Sequence, residues 1–387
     1  MKKSTGNFIK RLAFIFSLLH YCVLSFAQDS SHIRISLLTC TPGEELYSTF
    51  GHSALRVTDS SSAQDIVFNY GTFNFDDPGF YMKFIRGKLL YFVSTSYFSD
   101  FREEYQSTNR GITEQLLNLS AAEKIVIRNF LYNNAKEENK YYKYDFFFDN
   151  CTTRLRDIIL KHKQNAPKLA AVIPAGTTFR QAIYEYLDKN GKAWSKLGID
   201  ILLGAPTDVV MTTSQSEFLP DNLLKAFDST NQNRQLVLSE TNLYPVNADN
   251  NSAPLFTPLV VFSLLLLLVF FISLGKSRFA AGFLQGFDGM LFCLTGLLGI
   301  ALIFMWTATD HAMCRNNYNL LWALPTNTIL AFFVNSKKNW VKKAFGITAL
   351  IMILVLLSWF FLPQQMNKGL IPIVLLLLYR SGIKYAG

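Results

Sequence analysis

Tyr141-Tyr142-Lys143-Tyr144-Asp145-Phe146-Phe147-Phe148-Asp149-Asn150-Cys151-Thr152-Thr153-Arg154-Leu155-Arg156-Asp157-Ile158-Ile159 changes character in its middle. The aromatic, β-prone half stops at Asp149-Asn150, both good helix caps, and Leu155, Ile158 and Ile159 then recur at helical spacing. Cys151 is therefore expected in the first turn of a helix. Unpaired backbone N–H groups and the positive end of the macrodipole there favour a thiolate over a thiol, and Arg154 and Arg156 add positive charge. Such a cysteine suits nucleophilic catalysis, because the thiolate is the reactive form and the same N–H groups can stabilise a tetrahedral oxyanion.

A partner base is sought upstream. Phe50-Gly51-His52-Ser53-Ala54-Leu55-Arg56-Val57 alternates as a strand, and Gly51 permits close backbone approach beside His52. Of the five histidines, His20 lies in the N-terminal apolar segment, His32 near the expected mature terminus, His162 late in the cysteine helix and His311 between apolar runs. Only His52 has a strand-like setting. Around it, His32 to Leu38, Ser53 to Thr58 and Ile66 to Tyr70 read as strands, Tyr81 to Val93 as β-prone and Ser99 to Gln106 as helical. Ser120-Ala121-Ala122-Glu123 is a capping-box pattern ahead of a stripe of Ile125, Ile127, Phe130 and Leu131. The expectation is an α+β domain.

Blander readings stand beside these. Cys151 also reads as an inert buried cysteine or as half of a disulfide with Cys40, and His52 as a satisfied core histidine. No Cys-x-x-Cys or His-Glu-x-x-His occurs, so no metal and no cofactor is expected. Tyr81 to Tyr91 interleaves aromatic and basic residues, which suits either lipid head groups and acyl chains or an ordinary strand pair with a basic face.

Composition places this domain in a larger plan. The 387 residues are 50% apolar, and the apolar runs Leu264 to Leu268, Leu297 to Phe304, Ala349 to Leu357 and Val374 to Leu378 are concentrated towards the C-terminus. A purely soluble protein, a disordered chain and a disulfide-dense small scaffold are excluded. The net charge of +9 is distributed beside apolar segments rather than along one stripe, so nucleic acid is discounted as a partner. Met1-Lys2-Lys3 to Lys10-Arg11, the apolar stretch from Leu12 and Ser25-Phe26-Ala27 make residues 1–27 a signal peptide, with an uncleaved anchor as the rival. Residues 28–245 are then an exported domain, 246–254 a linker and 255–387 a multi-pass membrane domain. Its spans are expected at 255–274, 288–306, 319–334, 344–362 and 367–380, an all-α bundle of about five helices. Export of residue 28 onward puts Lys276 and Arg278, the four lysines from Lys337 to Lys343, and Arg380 and Lys384 inside, in keeping with the positive-inside rule. The location expected is the inner membrane, with the N-terminal domain in the periplasm. The polar loop Thr307 to Tyr318 faces out, as a connector or on the substrate side.

With Gly51-His52 early and the Cys151 helix far downstream, the chain resembles a circularly permuted papain-like, NlpC-like cysteine hydrolase or acyltransferase. Asn150-Cys151 resembles the nucleophile motif of the lecithin retinol acyltransferase group. Cys40-Thr41-Pro42-Gly43-Glu44-Glu45-Leu46-Tyr47-Ser48-Thr49-Phe50-Gly51-His52-Ser53, Phe68-Asn69-Tyr70-Gly71-Thr72-Phe73, Asp149 to Arg154, and Asp310-His311 to Asn319-Leu320-Leu321-Trp322 are similar to the Bacteroidetes lipoprotein N-acyltransferase family (Lnb). That resemblance implies transfer of an acyl chain from a phospholipid donor to the N-terminal amine of a diacylated lipoprotein acceptor. Cys151 is then the nucleophile that forms a thioester, and His52 the group that takes the thiol proton and protonates the leaving alkoxide. Asn150, Thr152, Arg154, Tyr47 and His311 are implied at the oxyanion or substrate. Triad logic asks for a third residue to orient His52, with Asn69 the choice and Asp65 and Asp76 its competitors. A membrane-tethered cysteine amidase or peptidase acting on cell wall would use the same pair, and a non-catalytic membrane receptor or assembly factor would need neither.

Overall fold

The computed structural model describes residues 32–229, 235–245 and 254–387. The signal-peptide expectation, and the linker expectation apart from Pro254, lie outside the described residues. Seven strands, β1 (Ile33–Cys40), β2 (His52–Asp59), β3 (Gln64–Thr72), β4 (Leu90–Tyr97), β5 (Ile112–Leu117), β6 (Tyr141–Lys143) and β7 (Val237–Tyr244), form an antiparallel sheet in the order β6-β4-β3-β2-β1-β5-β7. The helices interleaved with them are α1 (Phe80–Ile85), α2 (Phe98–Ser107), α3 (Ala121–Asn134), α4 (Cys151–His162), α5 (Phe179–Lys189), α6 (Ala193–Leu202), α7 (Thr213–Ser216) and α8 (Pro220–Asp228). The α+β expectation holds for this part of the chain.

Strand periodicity sorts the core into two layers. Ile35 and Leu37 of β1, Leu55 and Val57 of β2 and Phe68 of β3 are buried in one cluster with Leu155, Ile158 and Ile159 of α4. Leu38, Cys40 and Ala54 are buried with Phe98, Phe101 and Tyr105 of α2 in another. The stripe that marked Cys151 as a helix start is therefore the stripe that seats its helix on the sheet. Before α3, Ser120 N–H donates to Glu123 Oε2 at 2.7 Å and Glu123 N–H to Ser120 Oγ at 3.3 Å, the reciprocal cap expected from the sequence.

Tyr81 to Val93 departs from its β-prone reading, because α1 occupies its first part and β4 begins only at Leu90. Gly79 and Gly87, with φ of 76° and 67°, bracket the short helix in the left-handed conformation that glycine tolerates. Aromatic residues favour strands only where a neighbouring strand packs against them, and here Phe80 packs on Phe73 and Phe75 instead.

Beyond residue 254 the chain is helical: α9 (Pro258–Ser273), α10 (Arg278–Thr307), α11 (Asn327–Phe332), α12 (Asn339–Ser358) and α13 (Ile371–Ala386). Among the described residues, three helical segments are long and apolar enough to cross a membrane, Arg278–Thr307, Asn339–Ser358 and Lys368–Ala386, and Pro258–Ser273 is a shorter apolar helix. The expected span 319–334 is not one helix. A 3-10 turn at Tyr318–Leu321 and the short α11 flank Pro325, which lacks an N–H and disfavours helix in the residue before it. This broken segment lies directly on α10: a Cβ on Gly299 would collide with the Ala323 carbonyl oxygen, and one on Gly296 with the Thr328 nitrogen. Irregular backbone in a bilayer needs such cover from protein.

The two parts meet through buried polar groups. Arg180, fully buried on α5, donates to Asp200 at 2.8 Å, to Asp208 at 2.9 Å and to Thr207 Oγ1 at 2.6 Å. Asp200 also accepts from Asn367 Nδ2 at 2.7 Å, across from the α6 helix to the membrane part. The last carbonyls of α6, which a helix leaves unsatisfied, accept from Asn317 at 2.8 Å (Ile201) and 3.0 Å (Leu202), while Asn319 bonds the Asp200 carbonyl at 2.9 Å. Gly204 N–H donates to the Met313 carbonyl at 2.8 Å. The Thr307 to Tyr318 loop is thus a docking element rather than a solvated connector.

Candidate active site

Cys151 opens α4, as its local sequence indicates. Asn150 is the N-cap: its Oδ1 accepts from the N–H groups of Thr152 and Thr153, each at 2.9 Å, and its own N–H donates to Thr153 Oγ1 at 2.9 Å. Its Nδ2 donates to the Phe146 carbonyl at 2.9 Å and the Phe218 carbonyl at 2.8 Å. Every polar atom of that side chain is committed to holding the helix start, a cap worth about 1 kcal/mol. The first-turn N–H expected to be free at Thr152 and Thr153 is not free, and among the first-turn donors this leaves the N–H of Cys151 itself.

His52 begins β2 directly after Gly51, whose φ is 80° and where a Cβ would meet the Cys40 carbonyl oxygen at 2.7 Å. Glycine is required there for steric reasons. The imidazole has Asn69 on one side, with Nε2 3.3 Å from Asn69 Oδ1, and Cys151 close enough for its charge to act on the ring. With Nε2 turned to Asn69, Nδ1 is the nitrogen left for the thiol. Asn69 lies on β3, the strand paired with β2, and just beyond it β3 and β4 lose register between Asn69 and Thr72, a bulge that contains Gly71 at φ 88°. A Cβ on Gly71 would sit 3.6 Å from Cys151 Cβ and 3.5 Å from Tyr144 Cε2, so the bulge also brings backbone against the nucleophile candidate. Of the competitors for the third position, Asp65 is bonded to Arg56 at 2.7 Å and Asp76 is exposed with its N–H on Asn74.

Electrostatics favour the charged pair. Burial pushes the Cys151 thiol up, but the charge and hydrogen bond of His52, the Ser53 backbone N–H and the Thr152 hydroxyl outweigh it and bring the thiol down from 9.0 to about 7. Burial disfavours the imidazolium, yet the charge of Cys151 and its hydrogen bond, with that of Asn69, raise His52 above its ordinary value. Thr152 Oγ1 lies 3.7 Å from Cys151 Sγ and 3.2 Å from Ser53 Oγ. By contrast, burial pushes Cys40 up to about 12; it is buried with α2 on the other layer of the core, and both cysteines are free. The disulfide reading therefore fails.

The remaining expected site residues make their contacts elsewhere. Arg154 donates to Asp149 at 2.7 Å and lies over the Tyr142 ring at 3.5 Å. Tyr47 is largely exposed, with its ring edge on Phe73 at 6.3 Å. His311 Nε2 is 3.0 Å from the Phe84 carbonyl, beside Asp310, whose N–H donates to the Arg86 carbonyl at 3.0 Å and whose carboxylate accepts from Lys143 at 2.8 Å. Among the described residues no three His, Cys, Asp or Glu side chains cluster as metal ligands would. Sequence reasoning missed Ser53, Gly71 and Tyr144. A glycine inside a strand is a signal for a bulge or close backbone approach, whereas a backbone N–H aimed at a sulfur leaves no trace in residue type.

Searches against curated proteins and against solved structures gave no match. Two family models do match, the Lnb N-terminal periplasmic domain over residues 26–185 and the Lnb transmembrane domain over residues 249–387. The first covers β1 to β6, His52 and the whole of α4; the second covers α9 to α13 and the loop that docks on α6. With both halves matched in the order in which the fold presents them, the chain belongs to the Lnb family, with a periplasmic domain followed by a membrane domain.

Proposed function

We propose that this protein is a lipoprotein N-acyltransferase that moves an acyl chain from a phospholipid, through a thioester on Cys151, to the N-terminal amine of a diacylated lipoprotein. The observation that carries the reading is the Cys151–His52 pair, with a thiol brought to about 7 in a domain docked on membrane helices. Membership of the Lnb family supports lipoprotein processing, and the His strand preceding the Cys helix matches the order in permuted papain-like enzymes. Residues 28–245 act in this reading as the periplasmic catalytic domain and 255–387 as the membrane domain, joined through 246–254.

The chemistry follows from the pair. Cys151 thiolate attacks the carbonyl carbon of the donor ester; the C–S bond forms, the C–O bond breaks, and the imidazolium of His52 gives its proton to the leaving alkoxide as lysophospholipid departs. The lipoprotein amine then attacks the thioester, the C–N bond forms as C–S breaks, and the amine proton passes to His52, which restores the thiolate–imidazolium pair. Cys151 N–H is the backbone donor for both oxyanions. Asn69 orients the ring, and Asn150 positions the helix start. Tethering keeps the site at the surface where donor and acceptor both reside, which removes a three-dimensional search.

Intact-mass analysis of the full chain with phosphatidylethanolamine and a diacylated lipopeptide tests this. The protein is expected to gain one fatty-acyl mass and the peptide a third acyl chain. Release of a cell-wall peptide fragment by the folded protein, with no acyl adduct, would replace the reading by a cysteine amidase. Asn69→Ala is expected to lower the acylation rate by about tenfold to a hundredfold while leaving the thermal midpoint within a degree or two, since it frees the ring without opening the core. An unchanged rate would remove Asn69 from the mechanism.

A further inference from the structure

α1 presents apolar side chains to the outside beside a membrane-derived loop. Tyr81, Met82, Phe84 and Ile85 are exposed on it, and Phe75 is exposed next to it. Monomeric surfaces rarely carry so dense an apolar patch without a partner. The patch is held at the membrane side: His311 bonds the Phe84 carbonyl and Asp310 the Arg86 carbonyl, both from the loop that follows the end of α10 at Thr307. Arg86 and Lys88 come directly after the helix, and Lys83 lies within it. Aromatic and basic residues mixed in this way mark segments that sit at the level of lipid head groups.

From α1 a file of rings leads inward. Phe84 stacks on Phe80 at 6.2 Å, Phe80 packs on Phe73 at 5.9 Å, Phe73 on Tyr91 at 5.3 Å, and Tyr91 stacks on Tyr144 at 4.3 Å. Tyr144 lies against Gly71, the backbone that abuts Cys151. Phe73, Tyr91 and Tyr144 are half-buried and Phe80 is buried, so the file runs from the exposed face of α1 into the domain. Nothing in the thiol–imidazole chemistry needs this file.

We propose that α1 seats in the outer interface of the bilayer, with Arg86 and Lys88 at the level of its head groups, and that one acyl chain of the phospholipid donor lies along these rings with its ester at Cys151. The occupant is a lipid from the adjacent bilayer, because the patch is apolar, basic at its rim, tied to a membrane helix and continuous with the thiol. The inference rests on the proposed acyltransferase reading and adds to it the route by which the donor arrives.

The test compares two acyl donors with the full chain and its Tyr81→Ser/Phe84→Ser double variant. One donor is a nanodisc of long-chain phosphatidylethanolamine and phosphatidylglycerol; the other is p-nitrophenyl acetate, which needs no chain path. The ratio of long-chain to acetyl thioester formation is expected to fall at least tenfold in the variant. The pH midpoint of Cys151 alkylation, expected to stay near 7, reports that the pair is intact; Phe75→Ser gives a second variant with the same expectation. An unchanged ratio, with wild type acylated by both donors, overturns the ring path and leaves the acyltransferase reading in place. Wild type that takes acetyl but no long chain from the nanodisc overturns both.

Discussion

His52→Ala is expected to move the pH midpoint of Cys151 alkylation from about 7 to above the ordinary thiol value of 9.0, and to slow acyl transfer about 10⁴-fold. Burial is the largest influence on this thiol and acts upwards; His52 is the main group that reverses it. With the imidazole gone the burial penalty remains, opposed only by the Ser53 N–H and the Thr152 hydroxyl. At neutral pH the thiolate fraction then falls from about one half to under about 1%, and the acid that protonates the leaving alkoxide is lost as well. In the wild type the acid limb of the rate profile should rise through about 7 as the thiol ionises, and the alkaline limb should fall as His52 gives up its proton. Cys151→Ser should abolish both the alkylation and the acyl adduct. Iodoacetamide alkylation against pH, followed by mass, checks the pair directly and without lipid. A His52→Ala midpoint still near 7 would show that the helix start, not the histidine, generates the thiolate.

Arg180→Ala is expected to cost about 3–5 kcal/mol, because it strands two carboxylates in the interior. Asp200 and Asp208 are already pushed above the usual carboxylate range by burial while Arg180 opposes that push. Without the guanidinium the folded state must bury both charges unpaired or bind protons. The deficit should therefore shrink as pH falls through the range where these two groups protonate. Arg180→Lys should recover little of it, since one ammonium cannot reproduce contacts to Asp200, Asp208, Thr207 and the carbonyls of Leu203 and Gly204. Heating the detergent-solubilised protein at several pH values measures this, and a midpoint equal to wild type at neutral pH would mean the network is not a structural tie. The same side chains join α6 to the membrane loops, so the variant should also expose the domain junction to proteolysis.

The local signals were legible because they depend on neighbours in sequence. Asn150 as cap, Cys151 in the first turn and Leu155, Ile158 and Ile159 facing the sheet follow from helix periodicity and capping chemistry. The capping box at Ser120 and the paired Gly51-His52 were legible for the same reason. Where the reading departed, long-range packing was the cause. Tyr81 to Ile85 folded as a helix because two left-handed glycines and the Phe73 ring decided its partner, and 319–334 broke at Pro325 because α10 offers glycines for it to lie on.

Residue order alone therefore determined a membrane domain after an α+β domain, a cysteine at a helix start and a histidine at the edge of a strand. Tertiary structure decided that His52 and Cys151 come together, that Asn69 and not Asp65 or Asp76 reaches the ring, and that the first-turn N–H groups of Thr152 and Thr153 are spent on Asn150. It also decided that Asn317 and Asn319 hold the end of α6. Periodicity records which face of an element is apolar, but the partner of a polar atom is set by whichever distant chain segment arrives within hydrogen-bonding distance, and no local pattern encodes that.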